Sequence, residues 1–320
     1  MAQAFETYTF PSSDGTSVCA GIAVSPSDDP RALLIISHGM EEHMERYLPF
    51  MQILASRGIL CFGHDHIGHG KSVKSEKDLG YIPLHGGADF LIDDVICDAK
   101  RFRGCYPNVP LILFGHSMGS FIARLAVTTE DSNLFDALIL AGTGGKNPLA
   151  PLALMILSVM CVLRGERSHS RTMHSLIFAP YNERFEKRTP VDWLTTDKAI
   201  VDSYIADPLC GPQLFTLSSL FVLISLLYSA NRSAAFRNTP NDLPILLISG
   251  RDDPVGGYGD GIHETADAYI RGGCTKVSHT LYTNARHELL NEPIAPQVIS
   301  DILSFLDANL KCLSAKESSL

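Results

Sequence analysis

The 320-residue sequence has no C-x-x-C pair, no run of lysine or arginine and no internal repeat or low-complexity tract. Each absence removes a class of function. The eight cysteines (Cys19, Cys61, Cys97, Cys105, Cys161, Cys210, Cys274 and Cys312) are scattered, which excludes a zinc ribbon or a thioredoxin-type motif. Several sit in apolar runs such as "GILCFG", where a free thiol behaves as a small hydrophobe, so reduced thiols in a cytosolic protein are expected. A net charge of −9 and a pI near 5.7 repel phosphate backbones, and nucleic acid is not an expected partner. The opening "MAQAFETYTFPSSDG" lacks a basic start followed by an apolar stretch, so no signal peptide is read there. Residues 149–163 are apolar but short of the roughly 20 residues a spanning helix needs. Residues 214–230 are longer but diluted by serines.

What remains is a globular composition, 45% hydrophobic and 19% charged, sufficient for one large domain or a core with an insert. Short apolar runs alternate with amphipathic ones. Strands are predicted over 31–39, 59–65, 109–115, 135–142, 243–250 and 276–283, and helices over 45–58, 87–107, 118–130 and 294–311. Strands this apolar, separated by helices, predict an α/β fold: a mainly parallel sheet covered by helices on both faces. The rhythm breaks between about 144 and 215, where no strand is read. That stretch is expected to be a helical cap over the strand ends, where ligands of open α/β sheets bind. The expected division is 1–143 for the first part of the core, 144–215 for the cap and 216–320 for the rest of the core.

"HDHIGHGKS" (64–72) invites two readings and fails both. His64, His66 and His69 have the histidine spacing of an H-x-H-x-D-H binuclear zinc cluster, but Gly68 stands where the aspartate belongs. Gly70, Lys71 and Ser72 match the end of a Walker loop, but Asp65 stands where its first glycine belongs. A strand end turning on glycines is expected instead, with no metal or nucleotide.

Chemistry is better placed at "LILFGHSMGSFIARL". Gly115-His116-Ser117-Met118-Gly119 is a G-x-S-x-G directly after an apolar strand and opening an amphipathic helix, the context of a nucleophile elbow. A serine hydroxyl needs a base and an orienting acid, which on such a scaffold follow in the order Ser, Asp or Glu, His. "LPILLISGRDDPV" offers Asp252 and Asp253 after a late strand. His263 falls in a helical segment and His279 in a strand, whereas His287 lies in a loop before the closing helix, where a catalytic imidazole belongs. The two oxyanion donors expected are the backbone N–H groups of Met118 and of Met40, in the loop after an early strand. His38 and His43 read as loop-organising hydrogen bonders.

The stretches "SHGMEEHMERY", "DHIGHGKS", "GHSMGS", "FDALILAG", "DWLTTD", "DPLCG", "LISGRDDPV" and "RHELLNE" resemble the monoacylglycerol lipase and lysophospholipase group of the α/β-hydrolase fold. The resemblance spans nearly the whole chain. It implies Ser117 as nucleophile, His287 as base, Asp253 as acid, and Met40 and Met118 as oxyanion donors. It further implies a serine esterase acting on lipid-like acyl esters, with no cofactor. The two apolar segments suggest transient contact with a membrane or micelle surface. A peptidase or small-ester hydrolase on the same scaffold, or a non-catalytic ligand-binding relative, are the alternatives.

Overall fold

The computed structural model describes residues 5–211 and 215–317, with side chains characterised as far as residue 310. The side chain of Cys312, and the parts of the readings above that fall on residues 1–4, 212–214 and 318–320, lie outside what is described. The described residues build one eight-stranded sheet. Its strands are β1 (Glu6–Pro11), β2 (Val18–Val24), β3 (Ala32–Ser37), β4 (Ile59–His64), β5 (Leu111–His116), β6 (Ala137–Ala141), β7 (Ile245–Gly250) and β8 (Val277–Tyr282). They lie in the order β1-β2-β4-β3-β5-β6-β7-β8, and all pairings from β4 to β8 are parallel.

Period-two packing explains why the central strands are apolar throughout. In β3, Leu33 and Ile35 point into one core layer, and Ala32, Leu34 and Ile36 into the other. The first layer is closed by α2 (Gly87–Cys105), α3 (Met118–Ala126) and α9 (Asp260–Gly272), the second by α1 (Leu48–Ala55) and α10 (Ala295–Glu317). Each fully buried Leu, Ile or Phe contributes about 1.5–3 kcal/mol, so both faces must be covered. The expected stripe on α10 is present: Val298, Ile302 and Leu306 are buried, and Phe305 packs at the edge. The helix expected over 45–58 is shorter, because Pro49 sets the first turn of α1 and Met44–Tyr47 forms a 3₁₀ turn before it.

The first 30 residues carry no prediction, yet they form the antiparallel β1–β2 hairpin on the sheet edge. Its anchors are polar. Tyr8 Oη donates to Asp98 Oδ2 at 2.7 Å and Ser12 Oγ to Asp94 Oδ2 at 2.8 Å, both carboxylates being buried one turn apart on α2. Hydrophobic periodicity carries no trace of such pairs.

Between β6 and β7 the chain is helical: α4 (Ala150–Arg164), α5 (Arg171–Phe178), α6 (Lys198–Ala206), α7 (Leu217–Ala230) and α8 (Ser233–Asn238). Val191, Trp193, Leu194, Val201, Tyr204 and Cys210 form a small hydrophobic cluster of their own beside α6. The two apolar segments part ways. In α7, Leu217, Leu220, Val222 and Leu226 are buried in the core, whereas α4 buries only Ala150, Leu157 and Cys161. No described helix is long and apolar enough to cross a membrane.

The strand-to-helix turn at residues 115–119 is closely packed. A Cβ on Gly119 would sit 1.9 Å from the Ser37 carbonyl oxygen, and one on Gly115 would sit 2.5 Å from the carbonyl oxygen of Gly119. Both obstacles are backbone and cannot swing aside. Gly119→Ala is expected to destabilise the fold by about 3 kcal/mol or more. Gly104→Ala, in the last turn of α2 with nothing within 4 Å of the new methyl, should instead be neutral or stabilising by about 0.4–1 kcal/mol. Urea unfolding of the two variants checks both; equal stabilities would contradict the packing described.

Candidate active site

In a parallel sheet the loops after successive strands emerge at one edge. Here those following β3, β5, β7 and β8 carry Met40, Ser117, Asp253 and His287 respectively, and Met118 opens the helix after β5. Ser117 occupies the turn between β5 and α3 with φ 52° and ψ −119°, a conformation rarely adopted by a residue with a side chain. Such strain costs about 1–3 kcal/mol and persists only where the surroundings dictate it. The Ser117 N–H is held by the Ala141 carbonyl at 3.0 Å, tying the turn to the end of β6. Met118 is the first residue of α3, so its N–H is one of those a helix leaves without an intrahelical acceptor.

His287 and Asp253 meet. Nδ1 of the imidazole lies 3.0 Å from each carboxylate oxygen, and both side chains are buried. Asp253 also accepts from Ser249 Oγ and the Val255 N–H, each at 2.9 Å. Burial alone would raise its pKa, but His287 and these donors outweigh burial and hold the carboxyl below its ordinary range. Asp252 is exposed and contacts Ala285 only through its backbone N–H. His263 on α9 and His279 on β8 meet edge to face, with ring centroids 4.7 Å apart. A Cβ on Gly142 would come within 2.9 Å of the His287 ring, so the imidazole rests on bare backbone. His287 Nε2 makes no hydrogen bond to a described residue. Ser117 and His287 line one small cavity together with Gly39, Met40 and Trp193.

A second cavity, of about 320 Å³, opens on the other side of Ser117 and Met40 and is lined by Phe121, Phe178, Tyr181, Leu223 and Leu227. That volume is in the range of small-molecule sites. Ser117 thus lines both a small compartment shared with His287 and a larger cavity, each walled mainly by apolar side chains and bordered by charged ones.

The loop after β3 is fixed by residues to which the sequence reading gave no role. Glu42 accepts from the Gly39 N–H at 2.6 Å, Tyr47 Oη at 2.8 Å and Arg46 Nη1 at 2.6 Å. Arg46 also grips Glu288 with both terminal nitrogens, at 2.8 and 2.7 Å. His116 Nδ1 lies 2.9 Å from Tyr47 Oη and 3.2 Å from Glu42. Burial opposes charge on both groups, but Arg46 and His116 hold Glu42 well below the usual carboxyl range, and Glu42 holds His116 above the usual imidazole range. Glu42 and Glu288 lie inside quoted motifs, yet nothing in their spacing shows that Arg46 joins them. Trp193, 5.0 Å from the His287 ring, was equally silent within "DWLTTD".

The segment 64–72 is neither a shared metal centre nor a phosphate loop in its bonding. His64 pairs with Asp98 at 3.0 Å, His66 with Ser37 Oγ at 3.0 Å, and His69 with the Ile67 carbonyl at 3.0 Å. Asp65 accepts from the N–H groups of Met44 and Lys71, both at 2.7 Å, and so closes the loop on itself. His38, as read, organises its loop: Nδ1–H donates to the Gly39 carbonyl at 2.7 Å and Nε2 accepts from the His66 N–H at 2.9 Å. His43 reaches Asp207 at 2.9 Å.

Strand order, the Ser117 turn and the sequence of loops define the α/β-hydrolase fold. A carboxyl esterase from Bacillus coagulans, solved in complex with glycerol, superposes with a TM-score of 0.90 at 28% identity, covering 96% of this chain and 99% of the other. The chain belongs to the Hydrolase_4 family (serine aminopeptidase, S33), whose model matches residues 28–294. The monoacylglycerol lipase of Mycolicibacterium smegmatis is 25% identical over 298 residues, 89% of this chain and 91% of that protein. The monoglyceride lipase homolog of monkeypox virus is 40% identical over 122 residues, 36% of this chain and 39% of that protein. The matches to the monkeypox virus protein and to the monoglyceride lipase of Rattus norvegicus span 39% and 44% of those proteins' length.

Three buried histidines make the site region acid-sensitive. Burial, reinforced by the neighbouring imidazoles, pushes His66 far below the usual range; burial likewise moves His38 to about 4 and His69 to about 3. The unfolded chain binds these protons near pH 6.5 and the folded one does not. The unfolded state therefore holds more protons between those values, and stability falls as pH drops from about 6.5 towards 4. His38 alone should account for about 3 kcal/mol over that interval. Urea unfolding at pH 7 and pH 4.5 should show the loss, and equal stabilities would contradict it.

Proposed function

We propose that the chain is a serine hydrolase cleaving acyl esters of lipid-like substrates, monoacylglycerols or lysophospholipids, through an acyl-enzyme. The observation that carries this reading is the position of Ser117. It lies at the junction of an apolar cavity and a small compartment shared with His287, whose Nδ1 is fixed by Asp253. The larger cavity, walled by Phe121, Phe178, Leu223 and Leu227, suits an acyl chain.

In this mechanism His287 Nε2 takes the Ser117 proton as Oγ attacks the ester carbonyl. The developing oxyanion is held by the N–H groups of Met40 and Met118, each such donor being worth about 10²–10³ in rate. The imidazolium then protonates the departing alcohol, and a water deprotonated by the same nitrogen releases the fatty acid. Asp253 keeps the Nδ1–H tautomer and stabilises the imidazolium. Proton traffic closes within these residues, so the chemistry calls for no metal or organic cofactor. The relatives named as lipases support the ester reading, as does the occupancy of Glu42. Its carboxylate is taken up by Arg46, Gly39 and Tyr47 rather than left for a substrate ammonium.

We assign 144–215 as the cap and 1–143 with 216–320 as the core, and we propose that α4 is its contact with lipid surfaces. Leu152, Met155, Ile156, Val159, Val162 and Leu163 recur at three- and four-residue spacing and are exposed, Val162 by 80% and Leu163 by 78%. Arg164 is the helix's one charged residue. Interfacial helices bury such a face among lipid headgroups.

Incubation with a fluorophosphonate should add one adduct to the wild-type mass and none to Ser117→Ala, whose ester turnover should fall at least about ten-thousandfold. An adduct retained by the variant, or absent from folded wild type, would end the serine-hydrolase reading. Replacing Val162 and Leu163 together by glutamate should lower hydrolysis of vesicle-borne monoacylglycerol at least about tenfold. Turnover of a short, soluble ester should be unaffected. An equal loss on both substrates would refute the interfacial role of α4.

A further inference from the structure

Away from the Ser117 cavity, three metal-ligating side chains of different chemistry converge. His43 comes from the loop after β3, and Asp207 and Cys210 from the turn after α6. A ring nitrogen, a carboxylate oxygen and the thiol sulfur lie within 4.8 Å of one another, and among the described residues they are the one such group found. We propose that His43, Asp207 and Cys210 bind a thiophilic divalent cation of the Zn²⁺ class, tying the cap to the loop that carries Met40.

The donor set suits a borderline cation and not Mg²⁺ or Ca²⁺, which prefer oxygen ligands throughout. A tetrahedral zinc ion with bonds of about 2.0–2.3 Å holds its donors roughly 3.3–3.8 Å apart. The existing cluster approaches that spacing, and His43 Nε2 is 2.9 Å from Asp207 Oδ2. Two donors are set by one turn. The Cys210 N–H donates to the Asp207 carbonyl at 3.1 Å, and the Leu209 N–H to Asp207 Oδ1 at 2.9 Å, orienting the carboxylate. Oriented ligands of this kind are what metal sites require. His43 and Cys210 are buried, while the half-exposed Asp207 leaves a path for the ion and a water as fourth ligand. Binding forms the sulfur–metal bond and releases the thiol proton to solvent.

The full chain, reduced with a phosphine, is titrated with Zn²⁺ against a chromophoric chelator and separately with Co²⁺. Wild type should bind one ion and show a thiolate-to-cobalt charge-transfer band. Cys210→Ala should lose the band, and both it and Asp207→Asn should lose at least about a hundredfold in affinity. Circular dichroism confirms that each variant is folded. Absence of one-to-one binding by wild type, or wild-type affinity in either folded variant, would overturn the site. Neither readout requires the esterase reading to hold.

Discussion

Arg46 sits between Glu42 and Glu288, and the arrangement of the site depends on that contact. One carboxylate fixes the Gly39 N–H and so the loop ending at Met40; the other belongs to the residue beside His287. Two loops that approach from different strands are thereby set in register by one planar guanidinium. A lysine would not replace it, because a point charge cannot grip one carboxylate with two nitrogens while holding another. Buried ion pairs contribute little net stability once desolvation is counted, so the value of this one lies in geometry.

The sheet was legible because its central strands, β3 to β7, are buried on both faces and many of its helices are amphipathic. Six of eight strands follow from apolar runs alone. The hairpin of β1 and β2 was not, since its attachment to α2 rests on hydroxyls bonded to the buried carboxylates of Asp94 and Asp98 and on a ring contact, Tyr8 on Phe102. The same division holds at the site. Ser117 and His287 could be placed because a tight glycine turn and a late loop leave marks in the order of residues. Choosing Asp253 over Asp252 needed the family pattern, and the structure buries the former beside His287 while exposing the latter. Arg46, Trp193 and Glu288 act through contacts between distant segments, which one sequence does not encode in any visible period.

Two helices of nearly equal apolarity show what composition leaves undecided. α7 lies between α3 and α4 and is buried along most of its length, whereas α4 packs on α7 and, among the described residues, leaves most of its other face exposed. Position in the layer order, not hydropathy, separates a core helix from an exposed one.

The segment 192–196 is bonded to the His287 loop from both directions. The Glu288 N–H donates to the Leu194 carbonyl at 2.7 Å, Arg286 reaches the carbonyls of Asp192 and Thr195, and Glu292 receives the Thr196 N–H. Roof and base are therefore mechanically in series at this point. Lifting the segment would either break these bonds or drag the imidazole off its carboxylate. A motion that keeps His287 on Asp253 must therefore hinge elsewhere, which makes 192–196 a fixed abutment.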